Sequence, residues 1–215
     1  MRILCLHGRG TNSKIFEMQT AAIRYELGDR HTFDFAEGSI YHDANSDIKD
    51  LLAADEKTFA YFSEDDPATA LKAIKDLDTF VHVNGPYDGV MAFSQSVGLV
   101  GTWMVQRQKL GKPSFRFAVF LSGASPVVDF NSLQDGNVVL LPPEKFAGLI
   151  DLPTAHIWGS QDPYADVAKN FSAVCRADLR SATLHTGKHE VPGAGSKESV
   201  TAAVNIMRRA IILAQ

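Results

Sequence analysis

The chain has 215 residues, of which 45% are hydrophobic and 21% charged, with a formal net charge of -4. That length supports one domain with a substantial core and is short for two. The mild acidic balance offers no attraction to nucleic acid or to an anionic membrane, and two cysteines, Cys5 and Cys175, are too few for a disulfide framework.

The chain opens on Met1-Arg2-Ile3-Leu4-Cys5-Leu6, an apolar run of strand length without the longer apolar core and cleavage site of a signal peptide. Membrane spans need roughly 18 or more apolar residues and none is found, so a cytoplasmic protein is expected. Ile3 to Leu6 is the first predicted strand, followed by a helical pattern over Ser13 to Leu27 with Ile15, Met18, Ala22, Ile23 and Leu27 near one face. Thr32 to Phe35 is a second, shorter strand. Asp65-Asp66-Pro67 is a helix start with proline in the first turn, predicting a helix over Pro67 to Leu77. Gly89 to Phe93 reads as a strand and Ser96 to Leu110 as a helix stopped by Gly111-Lys112-Pro113. Strands over Phe117 to Leu121, Thr154 to Trp158 and Ser181 to His185 alternate with helices over Asp166 to Cys175 and Glu198 to Leu213. Trp103, Trp158 and Cys5 fall at positions expected to be buried.

Alternating strands and helices predict an α/β fold in one domain, residues 1–215, with a largely parallel central sheet covered by helices on both faces. Two stretches break the rhythm. They lie within 36–64 and 123–151, are longer than ordinary connections, and are candidates for a lid or a pocket wall.

Chemistry concentrates at three strand ends. The run from Gly85 to Gly98 takes a strand to Phe93 and starts a helix within two or three residues, with Ser94 on the junction. This is the setting of a nucleophile elbow, normally G-x-S-x-G, in which a sharp turn lifts the serine above the sheet and aims the following N–H groups at the substrate. The flanks here are Ala92 and Ser96, small but not glycine. The alternative is a serine that only caps a helix.

A serine hydroxyl needs a base and a group to orient that base. Leu152 to Pro163 reads as strand, turn and acid, with Gly159 breaking the strand and Asp162 beyond its carboxyl end. A turn or cap role for Asp162 is the competing reading, and Asp166 is a weaker candidate inside the helical pattern. His189 follows the last strand in a glycine-containing loop, whereas His185 ends that strand. The order Ser, Asp, His is that of α/β-hydrolases. The seven histidines show no metal-ligand spacing, and neither metal nor cofactor is expected.

After the first strand comes His7-Gly8-Arg9-Gly10-Thr11-Asn12, a loop able to turn a backbone N–H toward the space above Ser94. The backbone N–H groups of Arg9 and Gln95 are the expected oxyanion donors, and His7 is assigned a structural part in that loop. A phosphate-binding glycine loop fits poorly, because position 13 is serine and no Walker lysine follows. Phe16, Phe35, Phe59, Phe62 and Phe146 suggest an apolar acyl site, and Glu37, Tyr41 and Tyr164 are substrate-pocket candidates.

Together these segments resemble the FSH serine hydrolases over nearly the whole chain. The resemblance rests on Leu4-Cys5-Leu6-His7-Gly8, on Gly85-Pro86-Tyr87-Asp88-Gly89-Val90 leading into Phe93-Ser94-Gln95, on Phe120-Leu121-Ser122-Gly123, on Leu152-Pro153-Thr154 with Gly159 and Asp162-Pro163, and on His189 with Val191-Pro192. It implies an α/β-hydrolase fold, a triad of Ser94, Asp162 and His189, and cleavage of small-molecule acyl esters or thioesters. Hydrolases of polyketide pathways in the family make an acyl chain bound to a carrier protein a further candidate substrate. Two other readings share the fold: a carbon–carbon-cleaving or cyclising enzyme with the same triad, and a non-catalytic binding protein.

Overall fold

A computed structural model describes residues 1–112, 115–142 and 146–215. Pro113, part of the expected helix stop, lies outside the described residues, as do positions 143–145 of the second long stretch.

The sheet is built from strands whose side chains alternate between two apolar layers. Strands β1 (Arg2–Leu6), β2 (Thr32–Ala36), β5 (Gly89–Phe93), β6 (Phe117–Leu121), β7 (Thr154–Gly159) and β8 (Arg180–His185) form one six-stranded parallel sheet in the order β2-β1-β5-β6-β7-β8. Leu4, Leu6, Val90, Ala92, Ala118 and Phe120 face one layer, where they meet Ile74, Val97, Trp103, Met104 and Phe171. Ile3, Cys5, Met91, Phe93, Phe117 and Val119 face the other, against Phe16, Ile23, Val204, Met207 and Ala210. Odd and even positions of the same strand enter different layers, as the period of two dictates. The first layer is supplied by helices α3 (Pro67–Asn84), α4 (Gln95–Lys109) and α6 (Ala165–Val174), and the second by α1 (Ser13–Gln19), α2 (Ala21–Leu27) and α7 (Lys197–Leu213). A parallel sheet covered on both faces is the expected architecture, and central strands β5 and β6 are buried throughout.

Several boundaries differ from the sequence reading for identifiable reasons. The helix expected over Ser13 to Leu27 divides at Thr20, whose hydroxyl donates to the Phe16 carbonyl at 2.8 Å and competes with the helical ladder. Helix α3 runs past Leu77 to Asn84, because Phe80 and Val81 continue its apolar face onto the core. It stops at Gly85, held extended at φ -70° and ψ -175° as the residue before Pro86 requires. Cys5, Trp103 and Trp158 are buried, and the Trp103 indole N–H donates to Asp78 Oδ1 at 2.9 Å.

The stretch from 36 to 64 has structure of its own. Strands β3 (Ile40–Tyr41) and β4 (Phe59–Ala60) pair antiparallel, with a 3-10 turn over Ser46–Leu51 between them. It is fastened to the loop after β1: Gly10 N donates to Phe59 O at 2.9 Å, and Asn45 Nδ2 donates to Arg9 O at 2.6 Å. The second stretch carries the short helix α5 (Phe130–Gln134), started by Asp129, which accepts from Asn131 N and Ser132 N.

Candidate active site

Strand β5 ends at Phe93 and helix α4 begins at Gln95, so one residue makes the whole turn. That residue is Ser94, with φ 58° and ψ -114°, a conformation L residues rarely adopt. Strain of this kind costs about 1–3 kcal/mol and persists only where the surroundings over-determine it. Here Ser94 N donates to Leu121 O at 3.0 Å, and its carbonyl accepts from Val97 N and Ala124 N, each at 3.2 Å.

The close approach of strand and helix explains both flanking residues. Ala92 is fully buried in the sheet. Ser96 is fully buried too, and its hydroxyl accepts from Phe93 N at 3.0 Å while lying 2.9 Å from the carbonyls of Leu6 and Phe93. A serine in the second glycine position of the elbow therefore adds a hydrogen-bonded tie between β1, β5 and α4. Gly8, on the loop after β1, packs tightly against the turn: a Cβ there would lie 3.0 Å from Ser94 Cβ and from the Phe93 ring.

Asp162 and His189 are brought to Ser94 by two adjacent loops. After β7, Ser160 N donates to His185 O at 2.7 Å and Gln161 N to Gly187 O at 3.1 Å, so the loop after β8 rests on the loop after β7. His189 Nδ1 then lies 3.1 Å from Asp162 Oδ1 and 3.0 Å from Oδ2, and its Nε2 lies 2.8 Å from Ser94 Oγ. The imidazole is flanked by the rings of Phe93 and Tyr164, with centroids 5.3 and 5.0 Å away.

Burial pushes the Asp162 carboxyl up, but it is outweighed. Hydrogen bonds from His189 and the Tyr164 N–H, the attraction of the imidazole and the Ser122 hydroxyl together hold Asp162 below the usual carboxylate range. The Tyr164 N–H donates to Oδ1 at 2.8 Å. An ionised Asp162 accepts from Nδ1–H, which leaves Nε2 unprotonated and facing the serine hydroxyl.

Above Ser94 lies a cavity of about 570 Å³. Arg9, Ser94, Gln95, Tyr164 and His189 line it at the sheet edge, and Phe62, Ile74, Leu99, Leu133 and Leu140 line it farther out. Both long stretches contribute walls, through Asn45 to Asp47 and Phe62 to Glu64 on one side, and Ala124 to Pro126, Val138 and Leu140 on the other. Among the described residues, neither Arg9 N nor Gln95 N is taken up by a protein acceptor.

Two pocket candidates are corrected. Glu37 turns away from the cavity to the start of α1, where it accepts from Ser13 N at 2.9 Å and Ser13 Oγ at 3.0 Å; the positive end of the helix attracts the carboxylate. Tyr41 is 65% exposed outside the cavity, its hydroxyl 3.4 Å from Asp43 Oδ1. Of the five phenylalanines singled out, Phe62 alone lines the cavity among the described residues; Phe16 packs between Phe35 and Phe93 in the core. His7 is fully buried and accepts from Gly38 N at 2.9 Å through Nε2. Asp166 and His185 stay outside the cluster around Ser94.

Three side chains support the site in ways the sequence reading does not foresee, although Gln95 is expected there as a backbone donor and Ser122 falls in the run Phe120 to Gly123. The Gln95 side chain accepts from Tyr61 N at 3.0 Å and donates to Phe62 O at 2.9 Å, fixing the cavity wall to the start of α4. The Tyr61 hydroxyl accepts from His7 N at 3.2 Å and donates to Ala36 O at 2.9 Å. Ser122, at φ 41°, offers its hydroxyl to Glu190 O at 3.2 Å or to the Asp162 carboxylate. The positive φ of Ser122 at a strand end is a signal visible only in three dimensions.

Comparison with known proteins shows the family and the fold. The chain is 36% identical over 195 residues to esterase FPY3 of Fusarium mangiferae, covering 89% of this chain and 88% of the relative. It is 29% identical to the probable esterase tazC of Aspergillus terreus over 197 residues, covering 75% of this chain and 74% of that protein. Among solved structures, Arabidopsis thaliana SOBER1 superposes with a TM-score of 0.61 at 14% identity, over 97% of this chain and 98% of that one. The RedJ thioesterase of Streptomyces coelicolor gives a TM-score of 0.56 at 10% identity, over 96% and 90% of the two chains. These two show the shared α/β-hydrolase fold. The model of the FSH1 serine hydrolase family matches residues 1–201, and the chain belongs to that family.

Proposed function

We propose that the protein hydrolyses carboxylic esters or thioesters of apolar acyl groups, with Ser94 as nucleophile, His189 as general base and acid, and Asp162 as the residue that orients and electrostatically supports the imidazole. The observation that carries this reading is the single ring of His189, in hydrogen-bonding reach of Ser94 Oγ at 2.8 Å and of Asp162 at 3.0 Å.

Ser94 Oγ attacks the acyl carbonyl carbon as its proton passes to His189 Nε2, and the carbonyl π pair moves to oxygen. The oxyanion is received by the free N–H groups of Arg9 and Gln95, the second at the positive end of helix α4. Collapse expels the alcohol or thiol, protonated by His189, and leaves an acyl-serine. Water, deprotonated by the same imidazole, repeats the sequence and frees the acid. Throughout, the carboxylate of Asp162 stabilises the imidazolium without taking its proton.

The acyl group occupies the cavity walled by Phe62, Ile74, Leu99 and Leu133. We read the chain as one catalytic domain, with 36–64 and 123–151 as pocket walls. Acyl chains tethered to a carrier protein fall within the same chemistry, because exposed Val138, Val139 and Leu140 extend the apolar wall to the surface. A cytoplasmic setting is supported by the free, buried state of Cys5 and Cys175. No helix among the described residues is long and apolar enough to cross a membrane.

The test is hydrolysis of p-nitrophenyl octanoate by the Ser94→Ala protein. A loss of about 10⁶-fold in kcat, the scale seen when a triad serine is removed elsewhere, with an unchanged melting temperature supports the reading. Near-full activity overturns it.

A further inference from the structure

His189 stands between two cavities. Besides the acyl cavity, a second one of about 540 Å³ opens on the other side, between helix α1 and the loop that carries His189. Asn45, Asp47 and His189 belong to both walls, so the two cavities meet at the base. Ser94, Gln95 and Arg9 face only the first, whereas Thr11, Gln19, Lys188 and Glu190 face only the second.

Both cavities have mixed walls. The second is lined by Thr11, Gln19, Asn45, Asp47, Lys188 and Glu190 as well as by Met18, Ile48 and Val191. What sets it apart is a pair of polar atoms with no partner. Thr11 Oγ1 and Gln19 Oε1 are buried without a hydrogen-bond partner among the described residues. Unspent hydrogen-bonding capacity of this kind is costly in a protein interior and points to a missing partner.

We propose that the second cavity receives the leaving group, and that the preferred leaving group is an uncharged alcohol or thiol rich in hydrogen-bonding groups, such as a polyol or an amide-bearing arm. The proposal rests on the assignment of Ser94 and His189 above. When the tetrahedral adduct collapses, the C–O or C–S bond breaks, the electron pair goes to the departing atom, and that atom takes the proton held on His189 Nε2. The departing group must therefore lie against the imidazole, on the side away from the acyl chain. There the second cavity offers the unpartnered Thr11 hydroxyl and Gln19 amide oxygen. Two carboxylates against one ammonium disfavour an anionic leaving group.

The test compares four octanoates: 1-octanoylglycerol, propyl octanoate, which has the same carbon skeleton without the two free hydroxyls, octanoyl-N-acetylcysteamine, whose arm carries an amide, and methyl octanoate, whose leaving group has no arm. The wild type is expected to favour the glycerol ester over the propyl ester by tenfold or more in kcat/KM. Met18→Trp, on an exposed position of the cavity wall, and Ala194→Trp, on the opposite loop, fill the space. Each is expected to lower kcat/KM for the glycerol ester and the cysteamine thioester at least tenfold while leaving methyl octanoate within twofold. Loss confined to one polar substrate identifies which arm the site takes. Equal treatment of propyl and glycerol esters by the wild type, or an equal effect of the fillings on methyl octanoate, overturns the proposal while Ser94-dependent hydrolysis stands. A wild type inert toward every octanoate overturns the assignment of function itself.

Discussion

Gly159 and Lys188 meet backbone to backbone: a Cβ on Gly159 would lie 2.2 Å from the carbonyl oxygen of Lys188. The first residue belongs to the end of β7, three positions before Asp162, and the second immediately precedes His189. The two main chains run so close that position 159 has no room for a side chain, and the loops that carry acid and base lie side by side there.

Gly159→Ala therefore forces the two loops apart. Misplacement by about 1 Å can cost roughly 10²-fold in rate, and a fall of that order in kcat is expected. Stopped assays on the purified variant, beside its circular dichroism, check this; an alanine variant with wild-type kcat means the loops are not set by this contact.

Ser96→Ala removes the acceptor of Phe93 N in a fully buried turn. Leaving a buried donor unsatisfied costs about 1–3 kcal/mol, so the midpoint of urea unfolding is expected to fall by a matching amount. Ser96→Gly should fare no better despite matching the usual elbow pattern, since the hydroxyl and not the space is what it loses.

That contrast marks where the sequence was readable. An apolar strand run meeting a helix start exposed Ser94, and loop position after a strand exposed Asp162 and His189, because strand ends on one side of a parallel sheet necessarily cluster. Side-chain direction was not readable. Glu37 follows β2 at the correct edge yet serves the start of α1, and Tyr41 sits on a two-residue strand whose partner, Phe59–Ala60, is too short to give a pattern. The role of Ser96 is not legible in the motif, because its hydroxyl finds a partner on β1, some 90 positions earlier in the chain. Helix α3 ran on to Asn84 because contacts from Phe80 and Val81 to the core outweighed the local pattern.

Acid stability provides a separate test of the packing. His156 is buried between Phe120 and Phe171 beside Thr154, and burial, aided by the charge of Arg180, pushes its pKa from 6.5 down to about 3. The folded state thus binds fewer protons here than the unfolded chain. Its contribution is constant above pH 6.5 and is lost as pH falls from 6.5 toward 3, at up to about 1.4 kcal/mol per pH unit. His156→Gln should flatten this part of the urea-unfolding profile between pH 6 and pH 4. An unchanged slope would remove His156 as its source.

The acyl cavity should read chain length. Ile74 lines it from α3, and Ile74→Phe shortens the space. With about 0.8 kcal/mol per buried methylene, each lost position should lower kcat/KM roughly fourfold. In a series of p-nitrophenyl esters from acetyl to dodecanoyl, the preferred length should move down by one or two carbons. No movement would place the acyl chain elsewhere.

The account stands most directly on Ser94 being the atom that attacks. Intact mass and peptide mapping after exposure to a fluorophosphonate test this. A single adduct on Ser94 is predicted, absent from Ser94→Ala and formed about 10⁴-fold more slowly in Asp162→Asn, where the amide favours the wrong imidazole tautomer. An unlabelled wild type, or an adduct on another serine, would contradict it.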